Sequence, residues 1–268
     1  MNKETRVIVL GGLLTLILTL SVFNGINTSE INTNSNISVD NTKIGWGIKR
    51  NDNHDQPDLG STNKALIEKY SGIAIGNNED KSIYLTFDLG YEGGYTSKIL
   101  DDLKDRNVKA VFFITAHYLN TAPELVERMI NEGHIVGNHT VNHKSMPDLS
   151  DNEIKKELMT LNQTVYEKYN YEMKYMRPPK GEYSERTLKI SEELGFKTVM
   201  WSFAYVDWDD KNQPSNSDAL NKIKSNFHNG EIMLLHATSK TNSEIMGDII
   251  DEARNEGYEF KSIDEFKN

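Results

Sequence analysis

The chain contains no cysteine. That one absence excludes thiol nucleophiles, zinc–thiolate and iron–sulfur centres, lipid attachment through sulfur, and disulfide staples. Positive charge is also short: 30 Lys and Arg stand against 40 Asp and Glu, a net charge of −10. Such a balance gives no global electrostatic grip on nucleic acid, so no nucleic-acid partner is expected. Long apolar runs are confined to the extreme N-terminus, and apolar residues make up 37% of the chain, which excludes a polytopic membrane protein. A fully disordered chain is excluded too, because that apolar share with 26% charged residues is ordinary for a folded domain. No internal repeat is visible.

The single long apolar run covers residues 7–23 and follows Lys3 and Arg6. At 1.5 Å per residue it is just long enough to cross a bilayer core. Basic residues ahead of it favour a cytoplasmic N-terminus with the remainder exported. Residues 1–24 therefore read as a signal anchor or signal peptide. The segment that follows offers Gly25 and Ser29 but no alanine for an A-x-A-like cleavage site, which favours an uncleaved anchor. Residues 25–62 read as a flexible tether and extended arm. The first part is rich in Asn, Ser and Thr and too polar to offset its ordering entropy; the later part, around Trp46 and Pro57, is expected to lie against the domain. Residues 63–268 remain for one folded domain. A chain of roughly 200–220 residues buries enough apolar surface to need no disulfide or structural metal.

Within that domain, apolar stretches alternate with segments of helical spacing. Strands are expected over residues 82–88, 108–115, 134–138, 175–177, 196–204, 231–236 and 259–263. Helices are expected over 97–106, 122–131, 151–169, 184–194, 217–227 and 243–255. Gly133, Gly195, Gly230 and Gly257 fall between a helix and the next strand, where a residue of positive φ ends a helix. Ser184, Ser217 and Ser243 suit helix N-caps, and Ser150 or Asp151 suits the start of the long helix. Repeated strand–helix units imply parallel strands with right-handed crossovers. Six or seven strands fit a closed or nearly closed α/β barrel, with a flat doubly wound sheet as the alternative. Both place a site at the carboxyl ends of the strands.

Chemistry-bearing side chains stand at those ends. Asp88 closes the strand Tyr84-Leu85-Thr86-Phe87-Asp88 and enters a Gly-rich loop, where a carboxylate is either a general base or a turn cap. His139 and His143, at i and i+4, would share one face of a helical turn, as zinc-ligand pairs do. Arg177 precedes Pro178-Pro179-Lys180-Gly181 and is placed to pair with Asp88. Lys180 carries the first amide N–H after two residues that have none, a candidate oxyanion donor. Asp207 is flanked by aromatics suited to walling a sugar or acyl pocket. Strand alternation puts Leu234 and His236 on one face, and His236 reads as a general acid whose charged form Asp207 stabilises. His54, His117, His134 and His228 lack such context and carry no assigned role. A base, a His pair, an Arg, an Asp and a further His at one end of successive strands suit hydrolysis of an amide or ester by an activated water.

At these residues the sequence resembles the polysaccharide deacetylases, the NodB homology domain of carbohydrate esterase family 4. Five motifs occur in order: Thr86-Phe87-Asp88, His139 with His143, Arg177-Pro178-Pro179-Lys180-Gly181, Asp207-Trp208, and Leu234-Leu235-His236. The resemblance covers about residues 81–268 and implies a distorted, incomplete (β/α)7-like barrel. It is closer to one branch, the spore-cortex N-acetylmuramic acid deacetylases, in Thr86-Phe87-Asp88-Leu89-Gly90-Tyr91, Gly137-Asn138-His139 and Ala204-Tyr205-Val206-Asp207-Trp208. Phe260-Lys261-Ser262-Ile263-Asp264 and the Trp46-Gly47 arm are similar as well. That branch removes acetyl from peptide-free N-acetylmuramic acid, leaving muramic acid that cyclises to muramic δ-lactam, after an amidase has stripped the peptide. The resemblance implies Asp88 as base, Arg177 orienting it, His139 and His143 as metal ligands, and His236 as acid tuned by Asp207. It places the Lys180 N–H in an oxyanion hole and Leu234 in an acetate pocket. Tyr91 and Trp208 are expected to contact the sugar, and Arg177 and Lys180 to attract the lactyl carboxylate.

Two positions depart from the wider family. That family carries a second Asp after the base as third metal ligand; here the position is Leu89, which cannot coordinate, and the muramic branch also lacks the Asp. A divalent cation, Zn²⁺ above others, is then expected on two imidazoles with water and substrate oxygens, held less firmly than by three protein ligands. Lys180 replaces the Tyr common in the family, which leaves a backbone role untouched. Expected partners are peptidoglycan glycan strands, an amidase acting earlier, and the membrane; the expected location is extracytoplasmic, on the cell-wall side. Alternative readings are deacetylation of N-acetylglucosamine in peptidoglycan or chitin, or of acetylated xylan, and a membrane-tethered glycan-binding pseudoenzyme, which only Leu89 supports.

Overall fold

The computed structural model describes residues 39–266. The apolar run of residues 7–23 and the first part of the tether lie outside the described residues. No helix among the described residues is long and apolar enough to cross a membrane.

In chain order the elements are β1 (Ile44–Gly45), α1 (Ser61–Lys69), β2 (Ser82–Leu89), α2 (Thr96–Asp105), β3 (Val111–Ile114), α3 (Ala116–Thr121), α4 (Pro123–Asn131) and β4 (Ile135–Asn138). They continue with α5 (Asp151–Tyr169), β5 (Tyr175–Met176), β6 (Glu182–Tyr183), α6 (Glu185–Glu193), β7 (Lys197–Thr198), α7 (Asn216–Lys224), β8 (Glu231–His236), α8 (Lys240–Asn255) and β9 (Glu259–Phe260). Seven strands make one sheet of order β7-β5-β4-β3-β2-β8, with β9 beside the start of β2, and every pairing in it is parallel. β1 pairs antiparallel with β6 in a separate two-stranded sheet.

The main sheet is curled rather than flat. Beyond β7 the chain leaves regular pairing, yet Val199 bridges Ile73 and Phe203 bridges Met233 of β8. Ser202 N–H and Phe203 N–H both donate to the Ile232 carbonyl, at 3.0 and 3.2 Å, and Leu234 N–H donates to the Phe203 carbonyl at 2.9 Å. These bonds lead from β7 back to β8. The α/β fold is thus a curled parallel half-barrel, and the flat doubly wound alternative does not describe it.

Strand alternation sorts the side chains of β2. Ile83, Leu85, Phe87 and Leu89 pack into the large core under the helices, with Leu100, Leu103 and Ile249. Tyr84, Thr86 and Asp88 face the other way; Tyr84 joins Val111, Phe113 and Ile232 in the concave core. The same alternation on β8 puts Ile232, Leu234 and His236 on the concave face. Gly137 of β4 allows that core to close, because a Cβ there would stand 2.5 Å from the Phe113 ring.

Several boundaries differ from the pattern reading. The strand expected over 108–115 begins only at Val111, because Asn107 turns left-handed and Val108 N–H closes α2 on the Leu103 carbonyl at 2.9 Å. Ser217 and Ser243 are not N-caps. Ser215 and Ser239 are, each accepting a hydrogen bond from the backbone three residues on, so both helices begin earlier. Ser184 and Ser150 do cap, each in a capping box. Gly133, Gly195, Gly230 and Gly257 all take positive φ. Residues 39–43, at the end of the stretch expected as a tether, bond to the domain: Asn41 donates to the Pro147 carbonyl and accepts from Ser184 Oγ, while Arg186 N–H bonds the Asp40 carbonyl. α1 straddles the boundary expected between residues 62 and 63, and has a single fully buried side chain, Ile67.

Candidate active site

Asp88 is the penultimate residue of β2, in register with Phe113 of β3 and His236 of β8. Its carboxylate is nearly enclosed. Oδ1 accepts from Arg177 Nη1 at 2.9 Å, and Oδ2 lies 3.6 Å from His139 Nε2. Burial alone would raise its pKa, but the Arg177 guanidinium, with His139 and His236, outweighs burial and holds it below the usual carboxylate range. Asp88 is therefore an anion at neutral pH.

Arg177 is completely buried, and all three of its nitrogens are engaged. Nε donates to the Val199 carbonyl at 3.0 Å, Nη2 to the Met200 carbonyl at 3.1 Å, and Nη1 to Asp88. Its guanidinium lies 4.4 Å from the Phe113 ring centroid. This arrangement corrects one expectation. Arg177 does not reach the cavity and has no face left for a lactyl carboxylate.

His139 and His143 meet, but not on a helical turn. Residues 139–143 form a loop in which Thr140 and His143 take left-handed φ of 68° and 54°. His139 Nδ1 lies 2.8 Å from the Arg177 carbonyl. A carbonyl only accepts, so Nδ1 carries the proton and Nε2 presents a lone pair. That Nε2 faces His143 Nε2 at 3.1 Å. Burial lowers the pKa of both imidazoles, that of His143 to about 4, so both are neutral at pH 7. The loop is fastened by Glu157 of α5, which accepts from Asn142 N–H at 2.7 Å and Asn142 Nδ2 at 2.6 Å.

His236 is oriented from behind. Nδ1 donates to Asp207 Oδ1 at 2.7 Å; Asp207 Oδ2 accepts the His236 backbone N–H at 2.8 Å and Asn242 Nδ2 at 2.6 Å. Burial alone would lower the His236 pKa, but Asp207, assisted by Asp88, outweighs it and raises the pKa above the usual imidazole value. With Nδ1 tied, Nε2 is the nitrogen left for the cavity. Leu234 sits one alternation step deeper on the same face. The Trp208 ring, half exposed, packs edge-on against His236 at 5.7 Å.

Lys180 has φ 60° and ψ 7°, and Gly181 follows at φ 66°. Two successive left-handed residues turn the chain sharply, and the Lys180 N–H donates to no acceptor among the described residues. The turn is braced by the arm. Trp46 N–H donates to the Gly181 carbonyl at 2.8 Å, and Trp46 Nε1 to the Trp201 carbonyl at 2.9 Å. Glycine is required at 181, where a Cβ would lie 2.7 Å from the Trp201 ring.

Asp88, His139, His143, Lys180, Leu234, Tyr91, Trp208 and His236 thus line one cavity of about 1200 Å³, while Arg177 and Asp207 stand behind its wall. His117, left without a role by the sequence, also lies on this cavity. His134 and His228 are elsewhere and buried, with pKa values pushed down to about 4 by that burial. Glu157 and Asn242 escaped the sequence reading. Each sits on a helix among other polar residues and shows no local mark of the loop or carboxylate it holds.

The donor set can be tested for a metal. Among the described residues no group of three or more His, Asp and Glu is arranged as the ligand set of one metal ion. Leu89 packs into the helix-side core, on the face opposite Asp88. The 3.1 Å between His139 Nε2 and His143 Nε2 suits an N–H···N hydrogen bond when His143 carries its proton on Nε2, and two nitrogens on one ion when it does not. The residues present therefore fit a divalent cation held by two nitrogens, with its other positions left to water and substrate oxygens.

An α/β half-barrel with an Arg-held carboxylate, a His pair and an Asp-backed His at its strand ends is the architecture of a carbohydrate deacetylase. A family model described as polysaccharide deacetylase matches residues 75–199. Peptidoglycan-N-acetylmuramic acid deacetylase PdaA of Bacillus subtilis is 44% identical over 229 residues, 85% of this chain and 87% of that protein. A 30.6 kDa protein of Geobacillus stearothermophilus is 47% identical over 229 residues, 85% of this chain and 86% of its own. The solved structure of Bacillus subtilis PdaA, a family 4 carbohydrate esterase, aligns with a TM-score of 0.83 at 44% identity, covering 85% of this chain and 98% of that one. The chain belongs to the polysaccharide deacetylase family, carbohydrate esterase family 4.

Proposed function

We propose that this protein hydrolyses the N-acetyl group of peptide-free N-acetylmuramic acid residues in peptidoglycan. One observation carries the reading: Asp88 and His236 stand opposite each other on paired strands and face one cavity, the first held anionic and the second with its pKa raised by Asp207 against the effect of burial. Amide hydrolysis needs that pair, one group to take a proton from water and another to give one to the departing nitrogen. The choice of sugar is supported by the likeness to the Bacillus subtilis muramic acid deacetylase.

In the proposed reaction Asp88 takes a proton as the water oxygen bonds to the acetyl carbon. Arg177 keeps the carboxylate aimed and charged. The free Lys180 N–H donates to the developing oxyanion. His236 Nε2 then protonates the sugar nitrogen as the C–N bond breaks, releasing acetate and a neutral amine, and Asp207 stabilises the imidazolium before that transfer. Leu234 packs on the acetyl methyl, Tyr91 and Trp208 flank the sugar, and the Lys180 ammonium faces the lactyl carboxylate. His139 and His143 would hold a divalent cation, Zn²⁺ first, which when bound polarises the carbonyl and acidifies water.

The free amine produced beside the lactyl carboxylate is set to close to muramic δ-lactam, the product expected of a spore-cortex enzyme. A free lactyl carboxylate presupposes an amidase acting earlier. The apolar run of residues 7–23 behind Lys3 and Arg6 supports export and membrane attachment, which would put the domain on the wall side.

The test is acetate release from peptidoglycan with and without stem peptides, with product sugars identified by mass spectrometry. Loss of acetyl from muramic acid in stripped glycan is expected. Equal rates on both substrates would overturn the peptide-free preference, and loss from glucosamine would favour the N-acetylglucosamine reading. Glycan binding without acetate release would favour the pseudoenzyme.

Two further outcomes test the metal. Dialysis against chelator is expected to abolish activity, and titration with Zn²⁺, Mn²⁺ or Co²⁺ to restore it only near one equivalent per chain; full activity at sub-stoichiometric metal would remove His139 and His143 from that role. Glu157→Ala is expected to unfasten the histidine loop, lowering stability by about 1 kcal/mol and divalent-ion affinity by about 10–100-fold. Thermal denaturation and calorimetric titration read the two effects separately.

A further inference from the structure

The groove is larger and more basic than one N-acetyl sugar needs. Drug-sized ligands fill about 300–1,000 Å³, whereas this cavity measures about 1200 Å³. The chain carries a net charge of −10, yet among the described residues Asp88 is the only acidic one lining the groove, and it is turned inward onto Arg177. Arg50, Lys180 and Lys222 line it as well, and none of the three has a carboxylate partner among the described residues. Lys180 belongs to the reacting centre and is near enough to His143 to help depress its pKa.

The other two cations come from the arm and from α7, and a hydrogen bond from Asn226 Nδ2 to the Lys222 carbonyl, at 2.8 Å, links α7 to the cleft that Arg50 lines. Arg50 follows Lys49, whose backbone pairs with Asp58, and its guanidinium donates to the Ala204 carbonyl while lying 5.7 Å from the Phe203 ring centroid. It is thereby fixed over the segment that leads to Val206 and Trp208. Lys222 comes from α7, and Asn226, just past the end of that helix, shares a small cleft with Arg50 and Phe203. Three separate parts of the chain therefore supply cations to one groove.

We propose that Arg50 and Lys222 form a second anion subsite that binds the lactyl carboxylate of another peptide-free muramic residue farther along the same strand. The inference rests on the reading of the protein as a muramic acid deacetylase. In a glycan of alternating sugars every stripped muramic residue adds one carboxylate, whereas a residue still bearing its peptide has that group tied up as a neutral amide. Lys180 meets the carboxylate of the residue undergoing reaction; Arg50 and Lys222 sense whether a neighbour has been stripped too. The protein so prefers runs of stripped glycan over an isolated stripped residue. Exposed charge pairs of this kind are screened by salt, and so is the preference.

The test uses the full chain and peptide-free oligomers of one, two and three disaccharides, with kcat and KM measured at low and at physiological salt. For the wild type, kcat/KM is expected to rise roughly 3–10-fold from the shortest to the longest oligomer, mostly through KM, and the rise to shrink with salt. In R50Q/K222Q the length dependence is expected to disappear, and in R50K to persist. K222Q alone, on an exposed helix face, keeps the test valid if Arg50 replacement impairs folding, and is expected to halve the length dependence or more. A length dependence unchanged in R50Q/K222Q and K222Q, or absent from the wild type while acetate is released, overturns the subsite and leaves the deacetylase reading standing. No acetate release from any oligomer overturns both.

Discussion

Asp88→Asn is expected to lower kcat for acetate release by about 10²–10⁴-fold and, at the same time, to destabilise the fold. The second effect follows from Arg177. It is fully buried, and its one anionic partner among the described residues is Asp88. Removing one member of a buried pair costs about 3–5 kcal/mol, because the surviving charge is stranded, whereas replacing both by apolar groups is often neutral. The two consequences separate in the double variant. Asp88→Asn with Arg177→Met is expected to recover most of the lost melting temperature, while kcat stays at the level of the single variant. A single variant that keeps its activity within a few-fold of wild type, measured well below its melting temperature, would remove Asp88 from the base role.

The second large effect concerns Asp207. His236 acts as an acid only while protonated, and its pKa is raised because the Asp207 carboxylate outweighs burial. Activity that needs the imidazolium is full at low pH, as far as this group is concerned, and is lost as pH rises through the raised pKa. In Asp207→Asn the anion is gone and burial prevails, so the His236 pKa falls below 6.5. The alkaline limb of the kcat/KM profile is then expected to move to lower pH, with kcat at neutral pH down by about 10²-fold or more. The loss is deepened by geometry. Asp207 accepts three hydrogen bonds, from His236 Nδ1, His236 N–H and Asn242 Nδ2. An asparagine must turn its own NH₂ toward one of these donors. A pH profile that keeps its alkaline limb in the variant would count against His236 as the acid.

How much of this was legible in the sequence depends on the element. β2 and β8 were readable because largely apolar runs reach a polar residue, Asp88 and His236; β8 ends there, and β2 runs one residue further to Leu89. α5 was readable to both ends, since the Ser150–Glu153 capping box starts it and Asn170 in left-handed conformation stops it. β7 was overestimated because Phe196 through Ala204 is apolar for a different reason: beyond Thr198 these residues fill the mouth of the half-barrel and join its two ends by isolated bridges. α1 went unseen because it turns only Ile67 fully inward and so lacks a clear apolar stripe. In the site, motif order marked the groups that face the cavity but not their exposure. Arg177 illustrates this, since nothing local in Arg-Pro-Pro says that the guanidinium turns inward. Glu157, Asn242, Arg50 and Lys222 are polar residues in polar surroundings of sequence, and only long-range packing brings them to the site.

The parallel pairing of β2 with β8 has a consequence for how activity is acquired. Asp88 and His236 belong to strands that are direct neighbours in the sheet yet separated by most of the domain's length in sequence. Contacts of such long range carry a high loop-closure cost and make folding slow. During refolding from denaturant, helical dichroism from local segments such as α5 is able to return first, but turnover has to wait until the first strand of the sheet has found the one that arrives from near the carboxyl terminus. A stopped-flow record in which product formation lags behind ellipticity is the expected signature.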